Sequence, residues 1–278
     1  MVITAQQVNE LRIKTGSGMM DCKKALTEAE GDMEKAIDIL RKKGQKISAN
    51  RADRDTTEGS VFVHISSDGK EAIGFSLNCE TDFVAKNDDF QKLGQKILAI
   101  ATMHKPESAE SLLAISMEDG RAVSEHITDL VGKIGEKIEV AQYNHITGER
   151  IVSYIHGDGK IGVLVNLANV GSADVNEAGR LVGMQIASMR PVAVDESGVS
   201  ADMLQREKEI GIERARQEGK PEAMLEKIAE GFVKKFYKEN TLLHQDFVKG
   251  NKVTVKQYLN SVQNGLTVKS FARIAIGR

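Results

Sequence analysis

Two glycine-containing segments are the parts of the sequence whose residue types could bind a nucleotide. Gly16 and Gly18 are followed by Asp21, at the position where a dinucleotide-binding loop requires its third glycine. The run 157–160 (GDGK) is followed by Ile161, where a phosphate-binding P-loop requires serine or threonine. We therefore expect neither segment to bind phosphate.

Metal binding and catalysis require side chains that converge, and the candidate groups in this sequence are dispersed. Cys22 and Cys79 are too far apart in the chain for a zinc-binding pair. The histidines show neither i, i+4 pairing nor clustered acids; they are His64, His104, His126, His145, His156 and His244. No set of nucleophile, base and orienting group can be written from these residues. We expect no catalytic residue, no metal, no cofactor and no enzymatic activity.

One catalytic alternative is a cysteine-dependent hydrolase that uses Cys79, His64 and Asp82. Apolar residues alternate around Cys79, which places its thiol on the same face of a strand as Leu77. A thiol on an apolar face is expected to be an inert core group, since free cysteines are most often buried in this way.

The overall composition indicates an ordinary soluble protein. The chain has 278 residues, of which 41% are hydrophobic and 28% charged, as is typical of folded domains. Lys plus Arg (38) nearly balance Asp plus Glu (40), so the surface has no strong field for nucleic acid or anionic lipid. No long apolar run and no export signal is present. We expect a cytoplasmic protein without nucleic-acid or membrane partners.

Residues 1–44 have the periodicity of three short helices. Thr4 followed by Gln7 is a capping-box pattern at the start of the first helix. Apolar residues at helical spacing then recur in runs that glycines at 16–18 and 31 separate. We predict a compact three-helix domain in this segment.

The segment 45–58 lacks this periodicity. Basic residues accumulate in and around it, at Arg41, Lys42, Lys43, Lys46, Arg51 and Arg54. A basic run of this kind is more often a solvated tether than an RNA-binding arm. We predict a mobile linker at 45–58.

Beyond the linker, apolar residues alternate with a period of two, which predicts β-strands. Two alternating runs flank a turn at Asp68, and a helix that contains Phe90 follows; the same order recurs around a turn at Asp158. Antiparallel hairpins that each need one face covered predict an α+β fold with a duplicated core. We place the two core subdomains at 59–145 and at 146–199 with 240–278.

Residues 200–239 interrupt the second copy with two charged helical segments. A turn at 219–221 (GKP) separates them, and apolar residues recur at helical spacing in each. We predict a helical hairpin that protrudes from the core. An alternating run at 268–276 follows and is expected to complete the second sheet.

The two copies differ in the segment that joins strand to helix. The first copy uses 80–87 (ETDFVAKN), whereas the second uses the small polar run 169–173 (NVGSA). Phe83 in the first segment therefore needs an explanation. Its ring either packs on the following helix or is exposed as an aromatic anchor for a partner protein.

Several motifs resemble those of the elongation factor Ts family. The most specific is the run 78–87 (NCETDFVAKN) with Phe90, and another is the run 15–26 (TGSGMMDCKKAL) with Leu11 and Arg12. Supporting matches lie at 58–61, 156–157, 161–165 and 271–273. The resemblance covers essentially the whole chain.

The resemblance implies a guanine-nucleotide exchange factor that binds the translational GTPase elongation factor Tu and promotes release of GDP. In similar proteins, the pair Asp82 and Phe83 enters the G domain and displaces elements that hold Mg²⁺ and the phosphates. Residues 1–44 resemble the ubiquitin-associated-like domain that grips a helix of the same G domain. The segment 200–239 resembles the dimerisation region of the family, which implies a homodimer.

The implied binding residues form three groups, with no catalytic or metal-binding residue among them. The Mg²⁺-dislocating segment comprises Thr81, Asp82, Phe83 and Val84. The N-terminal domain contributes Leu11, Arg12, Met19, Met20 and Lys23, and the second core copy contributes His156 and Gly157. For Met19 and Met20, core packing stays open beside partner binding, since methionine suits both.

Two further expectations concern the extent of the functional part. Some longer members of the family carry an additional C-terminal helical module that also contacts the GTPase, and the sequence here stops at Arg278, so we expect that contact to be missing. A competing hypothesis is a ubiquitin-type adaptor that acts only through residues 1–44. Deletion of the core would then leave its function intact.

Overall fold

The computed structural model describes residues 3–250 and 252–277. Its helices in these ranges are α1 (Ala5–Thr15), α2 (Met19–Glu28), α3 (Met33–Asn50), α4 (Asp82–Ala85), α5 (Asp88–His104), α6 (Ala109–Ala114), α7 (Val123–Ile134), α8 (Asn176–Met189), α9 (Ala201–Gln217), α10 (Glu222–Asn240) and α11 (Val255–Val262). Its strands are β1 (Glu58–Ile65), β2 (Glu71–Cys79), β3 (Ile138–Thr147), β4 (Arg150–His156), β5 (Ile161–Ala168) and β6 (Thr267–Ala275). Residues 1, 2, 251 and 278, which the predicted segments 1–44 and 240–278 include, lie outside the described ranges. The α+β class is confirmed.

The N-terminal helices α1 to α3 form a small module with its own core. The side chain of Thr4 accepts a hydrogen bond from the Gln7 amide, and the Thr4 backbone N–H donates one to the side-chain oxygen of Gln7, so the capping box is present. Asp32 caps α3 in the same way through the Lys35 amide. Leu11 and Leu26 are fully buried between the helices. Local capping and one apolar stripe per helix thus account for the module.

The third helix is longer than the sequence indicates. It ends at Asn50, beyond the predicted domain end at 44 and inside the predicted linker 45–58. In this part of the helix only Gly44 and Ile47 face inward. Gly44 lies against α7, and Ile47 packs on the core. Its charged residues lie on the outward face, where they mask the helical period. The connection to β1 is therefore confined to residues 51–57.

The core contains two three-stranded antiparallel sheets, with the orders β1-β2-β3 and β4-β5-β6. The hairpins turn around Asp68 and Asp158 as predicted, and β6 completes the second sheet as predicted. Strand β3 was not predicted. It is only partly buried along most of its length, and polar residues such as Gln142 and Asn144 interrupt its alternation.

The two sheets pack face to face, and helices cover their outer faces. Strands β2 and β5 are buried on both sides as a result. A methyl group added at Gly74 would lie 2.7 Å from Ile274, and one added at Gly162 would lie 2.6 Å from Val61. Small residues therefore permit the close approach of the sheets.

The outer faces form the two main cores. Phe75, Leu77 and Cys79 of β2 pack with Phe90 against α5 and α7. Val163, Val165 and Leu167 of β5 pack against α8 and α11. The alternating residues Val63 and Ile65 of β1 instead contact the other sheet, around Leu164 and Ile151. Each hairpin thus has both faces covered, whereas the sequence pattern predicted only one covered face.

The inserted segment forms a helical hairpin, with α9 and α10 on either side of residues 218–221. Gly211 of α9 lies against the ring of Phe232 on α10, where an added methyl group would come within 2.9 Å. Arg214 lies over the same ring at 5.9 Å from its centre. The hairpin leaves and re-enters the core side by side, through a bridge between Ala193 and Thr241. Within the described residues, no helix is long and apolar enough to cross a membrane.

We expect limited proteolysis to cut first within residues 51–57 rather than within 45–50. Residues 52–55 are exposed and form turns and bends, whereas 45–50 belong to a helix packed on α7. Mass spectrometry of the first fragments identifies the site. A first cut inside 45–50 would contradict the continuous helix.

We also expect both cysteines to resist thiol reagents in the folded protein. Burial raises the pKa of the Cys79 thiol to about 12 and raises that of Cys22 above its ordinary value. At pH 8 the thiolate of Cys79 is then only about one part in ten thousand. Titration with an aromatic disulfide should find no fast-reacting thiol in buffer and two in denaturant. One thiol that reacts rapidly in buffer would contradict this burial.

Candidate partner-binding surface

Among the residues that the structure describes, Phe83 is the most exposed large apolar residue. It lies on α4, a single helical turn between β2 and α5, and its side chain is 83% exposed. Thr81 caps this turn by accepting a hydrogen bond from the Val84 amide at 3.4 Å. The ring therefore projects from a helical turn rather than from the loop that the sequence suggested.

The same turn buries its other side. Val84 is 7% exposed and Ala85 equally buried, and both pack in the core with Phe90. The side chain of Val84 is thus directed away from solvent, and its role in partner binding stays a prediction. Because Val84 and Ala85 anchor the turn, Asp82 and Phe83 are held facing outward.

The base of the turn is fixed by two partly buried acidic side chains, Glu136 and Glu80. Glu136 accepts hydrogen bonds from the Thr81 amide at 3.0 Å and from the Thr81 hydroxyl at 2.8 Å. Glu80 accepts from the Lys137 amide at 2.7 Å and from Nη1 of Arg51 at 2.8 and 3.0 Å. Burial opposes the ionisation of Glu80, but the Lys137 amide and Arg51 outweigh it and keep its pKa below the ordinary value.

The carboxylate of Asp82 is solvent-exposed and ionised at neutral pH. Nζ of Lys86, one helical turn later, donates to Oδ2 of Asp82 at 2.8 Å. This hydrogen bond is the main cause that lowers the pKa of Asp82, and the charge of Lys160 contributes. A surface pair of this kind is readily exchanged for another partner. Asp82 therefore presents a negative charge beside the Phe83 ring.

The predicted contact at His156 and Gly157 lies on the hairpin turn of the second sheet. Both residues are exposed, and Nδ1 of His156 lies 2.9 Å from the hydroxyl of Tyr154. The carbonyl of Gly159 accepts from the Val61 amide at 2.9 Å, and Lys160 pairs with Glu58 at 2.6 Å. This turn is thus bonded to the strand that begins the first sheet.

The N-terminal module exposes a methionine pair. Met19 and Met20 are 61% and 63% exposed, so the structure places them on the surface rather than in the helical core. Arg12 and Lys23 are also exposed. Leu11 is fully buried in the core of the module, and its contact with a partner stays a prediction.

Ile13 is an exposed apolar residue that the sequence analysis did not select. It is 75% exposed on α1, on the opposite side from Leu11. The sequence could have indicated it, because Ile13 lies outside the apolar stripe that Val8 and Leu11 form on α1. A large apolar residue is unusual on the solvated face of a helix. Ile13 adds to the apolar surface of the module.

The proposed cysteine hydrolase is not supported by the geometry. Cys79 is fully buried and its thiol donates to the carbonyl of Thr81 at 3.2 Å. The strand register pairs Cys79 with Glu58, six residues along β1 from His64, a separation of about 20 Å. Among the described residues, no group of three or more His, Cys, Asp or Glu side chains could hold a metal ion. The site is a set of exposed side chains on a fixed frame, which suits protein binding.

Comparison with known proteins gives one consistent relationship. The family model described as elongation factor TS matches residues 80–278. The chain is 55% identical over 274 residues to the elongation factor Ts of Cytophaga hutchinsonii, covering 99% of each chain. It is 51% identical over 277 residues to that of Amoebophilus asiaticus, covering 100% of each, and 47% identical over 276 residues to that of Christiangramia forsetii, covering 99% of each. The protein is thus a member of the elongation factor Ts family of translation elongation factors.

Proposed function

We propose that the protein is the guanine-nucleotide exchange factor for elongation factor Tu, from which it promotes release of GDP so that GTP can bind. The observation that carries this proposal is the 83% exposed ring of Phe83 on a turn whose base is clamped by hydrogen bonds. A rigidly held, exposed aromatic ring loses little conformational entropy when it inserts into a partner, and burial of the ring there contributes favourable binding free energy.

Exchange of this kind requires no covalent chemistry. The factor needs only to bind the nucleotide-free GTPase more tightly than the GDP-bound form. By linkage, GDP then weakens binding of the factor to the same degree. A protein that acts in this way is a binding protein rather than an enzyme.

In this proposal, different groups of exposed residues contact different parts of the GTPase. Phe83 enters the G domain and displaces the elements that hold Mg²⁺ and the phosphates, while Asp82 places a negative charge near the metal site. Met19, Met20, Arg12 and Lys23 bind a helix of the G domain, with Ile13 beside them. His156 and Gly157 contact the far domain of the GTPase.

Two further parts of the proposal concern the setting in which the protein works. The hairpin of α9 and α10 serves as a homodimer contact. It exposes apolar residues, of which Ile210 is 57% exposed. The site of action is the cytoplasm, where translation takes place. The adaptor alternative is disfavoured because the family match begins at residue 80, outside the N-terminal module.

We expect the protein to accelerate release of fluorescent GDP from bacterial elongation factor Tu many-fold. No nucleotide should be hydrolysed, because the GTPase site is opened rather than activated. Stopped-flow fluorescence measures the release, and chromatography of the nucleotide checks for hydrolysis. An unchanged release rate at micromolar factor would contradict the proposed function.

We expect Phe83→Ala to reduce exchange while leaving the fold intact. Burial of the ring in the partner contributes about 1.5–3 kcal/mol, so exchange at limiting factor should fall roughly ten- to a hundredfold. The melting temperature should hardly change, because the ring makes little contact with its own core. Asp82→Ala should have a smaller effect on exchange, since its carboxylate is solvated.

Phe90→Ala is the matched control. Its ring is fully buried, so its loss should cost about 3–5 kcal/mol of stability. Exchange per folded molecule should be retained. If Phe83→Ala lowered the melting temperature as much as Phe90→Ala and left exchange per folded molecule normal, the role given to Phe83 would be wrong.

A further inference from the structure

The N-terminal module is joined to the core by a close helix crossing. Helix α3 lies on α7 with Gly44 facing Gly132. A methyl group added at Gly132 would lie 2.7 Å from the Cα atom of Gly44, and one added at Gly44 would lie 3.3 Å from the carbonyl oxygen of Thr128. The two backbones are thus in contact, and a side chain larger than hydrogen at Gly132 would push the helices apart.

Both helices of this crossing end at the base of the Phe83 turn. Arg51, the residue after α3, binds both carboxylate oxygens of Glu80. Residues 136 and 137, just after α7, bind Thr81 and Glu80. The turn that carries Phe83 is therefore attached to the ends of the same two helices that join the module to the core.

A third contact connects the start of α2 to the start of α5. Nζ of Lys133 on α7 bonds Oδ2 of Asp89 at 2.6 Å. The same side chain lies against Gly16, where an added methyl group would come within 2.6 Å of Nζ. Gly16 precedes the helix that exposes Met19 and Met20. Lys133 thus lies between the methionine surface and the segment that follows Phe83.

We propose that α3 and α7 form a rigid mount that holds the methionine surface and the Phe83 turn in one fixed arrangement. Gly44, Gly132 and Arg51 are its positioning residues. The effect on exchange rests on the proposed function, whereas the fixed arrangement itself is a property of the free protein.

A fixed arrangement changes how two binding surfaces combine. When two contacts are joined rigidly at the correct spacing, the second forms without a further loss of conformational freedom. If the module were on a flexible tether, part of the binding free energy would be used to order it. Release of the module should therefore weaken binding of the GTPase without changing the Phe83 turn.

The arrangement is tested first without the GTPase. Spin labels at Lys24→Cys on α2 and Lys96→Cys on α5 occupy exposed positions, and the native cysteines are buried. The intact protein should give one narrow distance distribution in pulsed dipolar spectroscopy. Gly132→Leu should broaden it. Ser188→Leu is the matched control, because Ser188 is exposed on α8, away from the helix crossing and from both labels.

The consequence for exchange is tested with the same variants, unlabelled. For Gly132→Leu we expect the half-saturating factor concentration to rise about tenfold, with the limiting rate at saturating factor within about twofold of the parent protein. Ser188→Leu should match the parent in both values. Arg51→Ala, which removes the ion pair with Glu80 and leaves the crossing intact, should lower the limiting rate, and Arg51→Lys should restore part of it.

The outcomes separate the two proposals. A broad distance distribution in the parent protein, or a narrow one in folded Gly132→Leu, overturns the rigid mount whatever the exchange activity. A narrow distribution in the parent with no exchange overturns the proposed function and leaves the mount standing. If Gly132→Leu does not fold, Gly132→Ala and Arg51→Ala decide, and unchanged exchange parameters in both overturn the positioning role.

Discussion

The architecture depends on the contact between two small sheets. An isolated two-stranded hairpin is at best marginally stable in water, and here each hairpin gains a third strand and packs on both faces. One face binds helices and the other binds the second sheet, with Gly74 and Gly162 at the points of closest approach. The turns that carry Phe83 and His156 lie at the ends of strands within this pair of sheets, so their relative position follows from the same contact.

The two copies of the core share more than their hairpins. The core helices α5 and α8 both end at a basic residue in the left-handed conformation, Lys105 and Arg190, each followed by proline. In both copies an acidic side chain binds amides at the strand end. Glu136 binds Thr81, and Glu149 binds the amides of Asn169 and Val170. The frame is thus repeated, and the exposed ring of Phe83 is what the second copy lacks.

The sequence predicted those parts of the fold that local chemistry determines. The capping box at Thr4, the turns at Asp68 and Asp158 and the alternating runs all depend on neighbouring residues. The extension of α3 was missed because only Gly44 and Ile47 face inward, and the fit of Gly44 to Gly132 is visible only once α7 is in place. The burial of Leu11 and Val84 was missed for a related reason, since a motif does not indicate which of its side chains the protein itself buries. Comparison of the two copies singled out Phe83 but left its ring either packed or exposed, and only the family resemblance implied exposure.

The order of the strands along the chain has a consequence for how the protein forms during synthesis. The first sheet is complete once β3 has been made, at Thr147. The second sheet receives its third strand only at Thr267–Ala275, on the order of a hundred residues after β5, and contacts so distant in sequence form slowly. Until β6 has emerged from the ribosome, the edge of β5 that it later occupies has no strand to pair with. The helical hairpin of α9 and α10 is translated within that interval. Because it folds from local contacts, it can form before β6 completes the second sheet.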